Sequence, residues 1–329
     1  MDCLAPPITC GCGCRFLQRK LLQIRPRTSK FAKVFSLESV PLYVCVNVYF
    51  NKLAELEVHE RVEVVTETQE DKWAVTLVDT YTQLATVAAG SLEREIQVFG
   101  DLFDQGILVK GIIDQVQYSK ESRELTILDY KTRRTNSLPS EAQKQGHALQ
   151  LMLYKCMLDS LTCGLTKMSQ LADHLNLNFS RELSGDVLKY IVQHGLQSLF
   201  VKSEAAMEVG DSPNPDGSSL KVTLGALAEK ISELIVRLDL PLVSSMIVQY
   251  EYQQSHEVIG VETVEHDEAW TRKMFENSLN FWLGKREPQG VDLEDMWKCD
   301  HCQFKEVCVW RRQKVLEQSP AASKTHHTC

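Results

Sequence analysis

Two β-branched, apolar runs around a short polar stretch restrict what this chain can fold into more than any other feature. Ile107 to Tyr118 and Leu125 to Thr132 flank SKESRE, the pattern of a β-hairpin. Asp114 lies in the first run, Asp129 and Lys131 in the second. A hairpin symmetric about Glu121 and Ser122 places Asp114 directly opposite Asp129, with Cβ atoms roughly 4.5–5.5 Å apart on one face. Asp129 and Lys131, two apart on a strand, share that face. Carboxylates so close destabilise a hairpin unless positive charge lies between them, and a divalent metal with Lys131 beside it fits that place. A hard cation such as Mg²⁺ takes oxygen ligands and keeps several waters, so two acids and a phosphate complete its shell. It would polarise a phosphoryl oxygen and activate water, with the ammonium steadying the developing charge. The plainer alternative is a surface hairpin with two solvated acids and a lysine. Ile112, Ile113, Ile127 and Leu128 set the acids at the edge of a core, which weighs against simple solvation.

A chain of 329 residues can bury a large core in one domain or two. Its net charge of -8 argues against a protein that coats nucleic acid non-specifically over its whole surface, while leaving room for a local basic groove. No apolar run approaches a membrane span. Residues 1–50 are divergent: from Cys3 to Leu37 there are seven Lys or Arg residues and no acid. Arg15, Arg19, Lys20, Arg25, Arg27, Lys30 and Lys33 make either a mitochondrial leader or a disordered basic tail. Cys10, Cys12 and Cys14 could bind metal, but the glycines between them do little to organise a site.

Residues 51–200 read as the main core. Lys52 to Val58 has helical spacing, VEVVTETQ alternates like a strand, and Asp71 to Val87 fits helix or strand. EREIQVF, Glu93 to Phe99, reads as a strand from which Glu95 could add a third carboxylate, although such a glutamate more often faces solvent. Arg133 and Arg134 follow the hairpin and suit bidentate phosphate contacts. Ser140 is placed to cap a long helix on which Gln150 and Tyr154 share one face. They either point at a DNA backbone or form core and rim. Residues 176–200 read as mixed helix and strand, and residues 201–220 as a flexible loop. Residues 221–312 carry a helix from Leu220 to Leu238, a strand from Val243 to Tyr252, a helix from Ala269 to Leu283 and the cysteines. Residues 313–329 read as a disordered tail.

The second informative stretch is WKCDHCQFKEVCVW. Cys299, Cys302 and Cys308 follow C-x2-C-x5-C, bracketed by Trp297 and Trp310. Thiolates so spaced can share a soft metal while the aromatics exclude water. Three ligands need a fourth for a tetrahedral zinc or a four-iron cluster. His301, inside the turn, is poorly placed to supply it, so it comes from elsewhere. An odd number of cysteines and no visible secretory signal argue against a disulfide framework.

GIID, DYK, QLMLY and the C-x2-C-x5-C tail after WLGKREPQGVDLEDMWK, in this order, resemble the exonuclease V family, eukaryotic relatives of the RecB-type PD-(D/E)xK nucleases. The likeness runs from about Leu53 to about Arg312. It implies an α/β, restriction-endonuclease-like nuclease core with a mixed central sheet flanked by helices, and a C-terminal iron-sulfur clasp. It implies Mg²⁺, a [4Fe-4S] cluster, and exonucleolytic hydrolysis of single-stranded DNA in DNA repair, including repair of interstrand crosslinks. The single-strand binding protein RPA is the implied partner, a monomer the expected state, and the nucleus and cytosol the implied compartments, with the mitochondrion suggested by the basic front. By resemblance Asp114 and Asp129 bind metal and act with Lys131 as the catalytic set. Gln150 and Tyr154 match the Q-x3-Y motif of the DNA path, and Cys299, Cys302 and Cys308 match three cluster ligands.

The front departs from that pattern. The family's upstream Gly-x-x-x-His element is absent, Asn51 stands where its histidine is expected, and Cys45, in YVCVNV, is the nearest upstream cysteine. A cluster tying the C-terminal end to the front would close a ring too narrow for duplex DNA, with Arg311 and Arg312 as further phosphate contacts. Two other readings stay open: a catalytically impaired, metal-stabilised DNA-binding protein or truncated isoform, and a zinc-ribbon interaction protein with a coincidental hairpin.

Overall fold

The computed structural model describes residues 34–36, 64–200 and 221–286 and, toward the C-terminus, residues 290, 291, 296, 299, 300, 302 and 304–317. Cys10, Cys12, Cys14, Cys45, Asn51, the helical reading of residues 52–58, the 201–220 loop, Trp297 and His301 lie outside the described residues. Within the segment read as leader or tail, β1 (Val34–Ser36) runs parallel to Leu108–Lys110.

Thr68 settles the ambiguity of the next segment. Its hydroxyl accepts the Asp71 N–H at 3.0 Å while the Asp71 carboxylate accepts the Thr68 N–H at 3.2 Å. This capping box satisfies two otherwise orphaned donors and starts α1 (Gln69–Ala88). The strand-like alternation read through residues 62–69 therefore fails where it is described, since 64–67 is irregular, Thr68 is a cap and Gln69 begins the helix. Thr76, Thr80, Thr82 and Thr86 return their hydroxyls to carbonyls four residues back, which lets β-branched residues sit in a helix. Ala74, Leu77, Val78, Leu84 and Val87 form its buried face.

The chain then lays down β2 (Leu92–Asp101), β3 (Leu108–Ser119) and β4 (Glu124–Arg133) as antiparallel neighbours. A long crossover follows through α2 (Glu141–Thr162), α3 (Met168–Leu175), α4 (Gly185–Gln193) and α5 (Leu224–Arg237). It returns the chain so that β5 (Val243–Tyr252) joins β4 in parallel, and β6 (Val258–Thr263) turns back along β5. The sheet order is β1-β3-β4-β5-β6, with β2 also on β3. It is thus a mixed sheet, packed by α1 and α2, with α5 against both helices and α6 (Glu268–Trp282) against α2. Residues 176–200 hold α4 and a single bridge, Glu182 to Thr223, rather than mixed helix and strand. The last described helix, α7 (Val309–Glu317), enters the segment read as a disordered tail.

The core lies between sheet and helices. Ile96, Ile113, Val116, Leu125 and Ile127 from the sheet meet Leu77, Leu84, Leu151 and Met157 from α1 and α2. Each such side chain contributes about 1.5–3 kcal/mol on burial. α1 also anchors the loop before α4: Asp71 Oδ1 accepts the Ser184 N–H at 3.0 Å and Glu70 Oε1 accepts the Asn178 N–H at 2.9 Å. No helix among the described residues is long and apolar enough to cross a membrane.

Candidate active site at the fork of the sheet

The β3–β4 ladder pairs Ser119 with Glu124 and continues to Gln115 with Leu128, where it ends. One further step of the same register would set Asp114 against Asp129. The hairpin is symmetric as expected, but its strands part at the acids. β4 keeps its other edge on β5, pairing Asp129 with Val248 and Lys131 with Tyr250. Asp114 takes over a donor freed by the parting: its Oδ2 accepts the Tyr130 N–H at 2.8 Å. The like charges therefore sit at the mouth of a fork, not across a closed ladder.

Asp129 is buried, 2 % exposed, and its Oδ2 lies 2.6 Å from Lys131 Nζ. That ion pair is close but poorly directed, and Oδ2 has no hydrogen-bond partner among the described residues. Burial pushes the Asp129 carboxyl up despite the lysine. Burial, then the charge of Asp129, raises Asp114 to about 7, against the pull of Lys131 and the Tyr130 N–H. Glu95 raises it further; it lies between the paired Arg94–Gln115 and Ile96–Ile113 steps of the β2–β3 ladder, with a left-handed φ of 54°.

Lys131 is held from the other side by α2. Its Nζ donates to Gln150 Oε1 at 2.9 Å, and Gln150 Nε2 donates to the Tyr154 hydroxyl at 2.8 Å. The two motifs are thus one chain of contacts, Asp129 to Lys131 to Gln150 to Tyr154. Tyr154 is only 2 % exposed, so of the two readings of this pair core and rim describes the geometry of the chain alone. Gln150→Leu is expected to release the ammonium and so lower any activity that depends on Lys131 about tenfold, with little change in melting temperature. Steady-state rates and thermal unfolding check this together. Arg133 donates from Nε to the Ser137 carbonyl at 2.6 Å at the rim, and Arg134 is exposed.

His147 and Tyr250 did not stand out in the sequence. His147 Nδ1 lies 3.1 Å from the Tyr250 hydroxyl, with ring centroids 5.7 Å apart. Burial first, then Lys131 and Arg133, pushes the imidazole down to about 3, and burial pushes the phenol up. The available signal was helical spacing: His147, Gln150 and Tyr154 recur every three or four residues on one face.

In the cysteine segment Cys299 and Cys308 are buried and Cys302 half-buried. The Cys302 N–H donates to the Cys299 carbonyl at 3.1 Å. The N–H of Phe304 points at Cys302 Sγ, 3.4 Å away, and that of Arg311 at Cys308 Sγ, 3.3 Å away. Burial, then Cys308 and Cys302, raises the Cys299 thiol. Among the described residues no three His, Cys, Asp or Glu side chains are gathered into a ready metal set. Arg311 and Arg312, read as phosphate contacts, bond the carbonyls of Lys305 and Glu306. The Trp310 ring lies where a Cβ at Gly290 would be, so that glycine is needed for the close approach.

Two carboxylates raised by burial, Asp114 also by the charge of Asp129, with a buried oxygen lacking a directed partner, fit a divalent cation, and the adjacent ammonium suits a phosphate. The family model for exonuclease V, described as a 5′ deoxyribonuclease, matches residues 49–126 and 119–311, and the chain belongs to this family. Exonuclease V of Danio rerio is 34% identical over 274 residues, 83% of this chain and 63% of that protein. The mitochondrial exonuclease V of Eremothecium gossypii is 26% identical over 267 residues, 68% of this chain and 50% of that one. The chain thus spans between half and two thirds of these relatives' lengths. The crystal structure of SSO0001 aligns at 12% identity with a TM-score of 0.31, covering 90% of this chain and 95% of that one.

Proposed function

We propose that this chain is a Mg²⁺-dependent exonuclease that hydrolyses single-stranded DNA from a 5′ end. The observation that carries the reading is the fork, where Asp114 and Asp129 meet beside a lysine braced by both sheet and helix. Asp114 and Asp129 would hold the cation, which when bound lowers the pKa of water and offsets phosphate charge. Lys131, fixed between Asp129 and Gln150, presents its ammonium where charge develops on the phosphoryl oxygens. Gln150 and Tyr154 keep it there, and Arg133 and Arg134 offer guanidinium groups to the DNA backbone at the rim.

Cys299, Cys302 and Cys308 supply three thiolates for a [4Fe-4S] cluster on this reading, with a fourth from upstream, for which Cys45 is the candidate. A clasp of this kind favours a single strand over a duplex. Work in genome maintenance, including interstrand crosslink repair with RPA, in the nucleus and cytosol or in the mitochondrion, follows from the family. The name of the Eremothecium relative supports the last of these compartments. The test is cleavage of end-labelled single-stranded and duplex DNA by protein purified without oxygen, with Mg²⁺ or with chelator. Mg²⁺-dependent loss of 5′-labelled single strands is expected. Binding without cleavage would overturn the reading in favour of a catalytically impaired DNA-binding protein.

A further inference from the structure

His147 stands one turn before Gln150 on the helix face that grips the catalytic lysine, yet no step above uses it. Its partner, Tyr250, is fully buried and lies directly beside Lys131 in the parallel β4–β5 ladder, so both side chains rise toward α2. Tyr250 is a neutral phenol, kept so by burial and by the charges of Glu262 and Asp129. A buried hydroxyl must donate its proton somewhere. The acceptor in reach among the described residues is His147 Nδ1, at 3.1 Å. An imidazole that accepts at Nδ1 carries its proton on Nε2 and is neutral. Lys131 and Arg133 nearby disfavour a third positive charge there, which agrees.

We propose that His147 is a positioning residue of the nuclease centre: through Tyr250 it locks β5 beside β4 at Lys131 and so fixes the ammonium between Asp129 and Gln150. Gln150 holds the tip of the lysine, while His147 holds the strand beside its backbone. α2 therefore grips the lysine at two points one helical turn apart. Because the histidine is a neutral acceptor, any residue that accepts from the phenol at the same place can replace it. A side chain without an acceptor cannot. The proposal rests on the reading of Lys131 as catalytic.

The experiment uses the full chain with Mg²⁺ and end-labelled single-stranded DNA. His147→Ala and Tyr250→Phe are each expected to lower kcat about tenfold or more while the KM for DNA stays within about threefold, the pattern of a misplaced catalytic group rather than lost substrate binding. His147→Asn, whose amide oxygen falls near the position of Nδ1, is expected to restore most of kcat. Histidine-selective ¹⁵N spectra at neutral pH, with the signal assigned by its loss in His147→Asn, are expected to show the Nε2–H tautomer in the wild type. A wild-type Nδ1–H tautomer or imidazolium would overturn the proposal, as would a Tyr250→Phe variant with unchanged kcat. Should His147→Ala fail to fold, Tyr250→Phe and the spectra still decide. Lys131→Ala separates the two levels. If it retains cleavage, the reading of the site fails; if it is dead while Tyr250→Phe is fully active, only the role of His147 fails.

Discussion

Asp114→Asn is expected to abolish Mg²⁺-dependent cleavage, by about a thousandfold or more, while making the metal-free protein more stable at neutral and alkaline pH. The amide can still accept the Tyr130 N–H, so the fork keeps its shape. What disappears is a negative charge held beside Asp129 against its preference. The carboxyl stands at about 7 when folded against an ordinary 3.8. Between those values the native chain holds more protons than the unfolded one, so this group makes metal-free stability decline as pH rises through that window. In the variant that decline is expected to flatten. Mg²⁺ should raise the melting temperature of the wild type most at pH 8, where Asp114 is ionised, less at pH 6, and not at all in Asp114→Asn. Thermal unfolding at the two pH values checks all three statements, and an Asp114→Asn protein that keeps both cleavage and the Mg²⁺ shift would remove this residue from the site. The general lesson is a trade: a centre poised to receive a cation is destabilised until it does.

Cys308→Ala carries the second large effect. Cys308 is buried, and the Arg311 N–H points at its sulfur from the first turn of α7, a geometry that suits a thiolate in a metal centre. If the cluster exists, protein purified without oxygen is expected to lose its iron and brown colour, to melt several degrees lower, and to cleave single strands at least about tenfold more slowly, because metal binding and local folding are one equilibrium. Cys163→Ser, at an exposed position just after α2, serves as the control and should change none of these. Iron content is the deciding measurement. A Cys308→Ala protein with its full complement of iron, or a wild type that holds zinc, would end the cluster reading without touching the carboxylates.

How much of this could be read from the chain depends on how local each cause is. The hairpin was legible because alternation and its centre are short-range properties, and the register follows the expected symmetry. The parting of the strands at Asp114 was not, because no short-range signal marks where the ladder ends; beyond it β4 pairs with β5, more than a hundred residues later in the sequence. Asp71 to Val87 looked equally helical or extended because its threonines favour strands. The Thr68–Asp71 cap and the buried leucines decide it. β6 escaped notice because VIGVET is short and carries Gly260, whose missing side chain leaves room for Leu138 from the loop before α2. Gln150 and Tyr154 were seen as a pair, but only the structure ties them to Lys131. His147 and Tyr250, 103 positions apart, carry no joint signal in a single sequence.

The parallel pairing of β4 with β5 also has a consequence for synthesis. Antiparallel hairpins close as soon as both strands have emerged, so the closed half of the β3–β4 hairpin can form early. The half that bears Asp129 and Lys131 gains its ladder partner only when Tyr252 has left the ribosome, after the whole helical crossover. Loop-closure entropy makes that step late in refolding as well. The nascent chain therefore carries Asp129 and Lys131 on an unpaired strand edge while the crossover is made, and the candidate site comes into being only after it. A ribosome that stalls within the crossover would leave a fragment that has Asp114, Asp129 and Lys131 but lacks the strand that orders the last two.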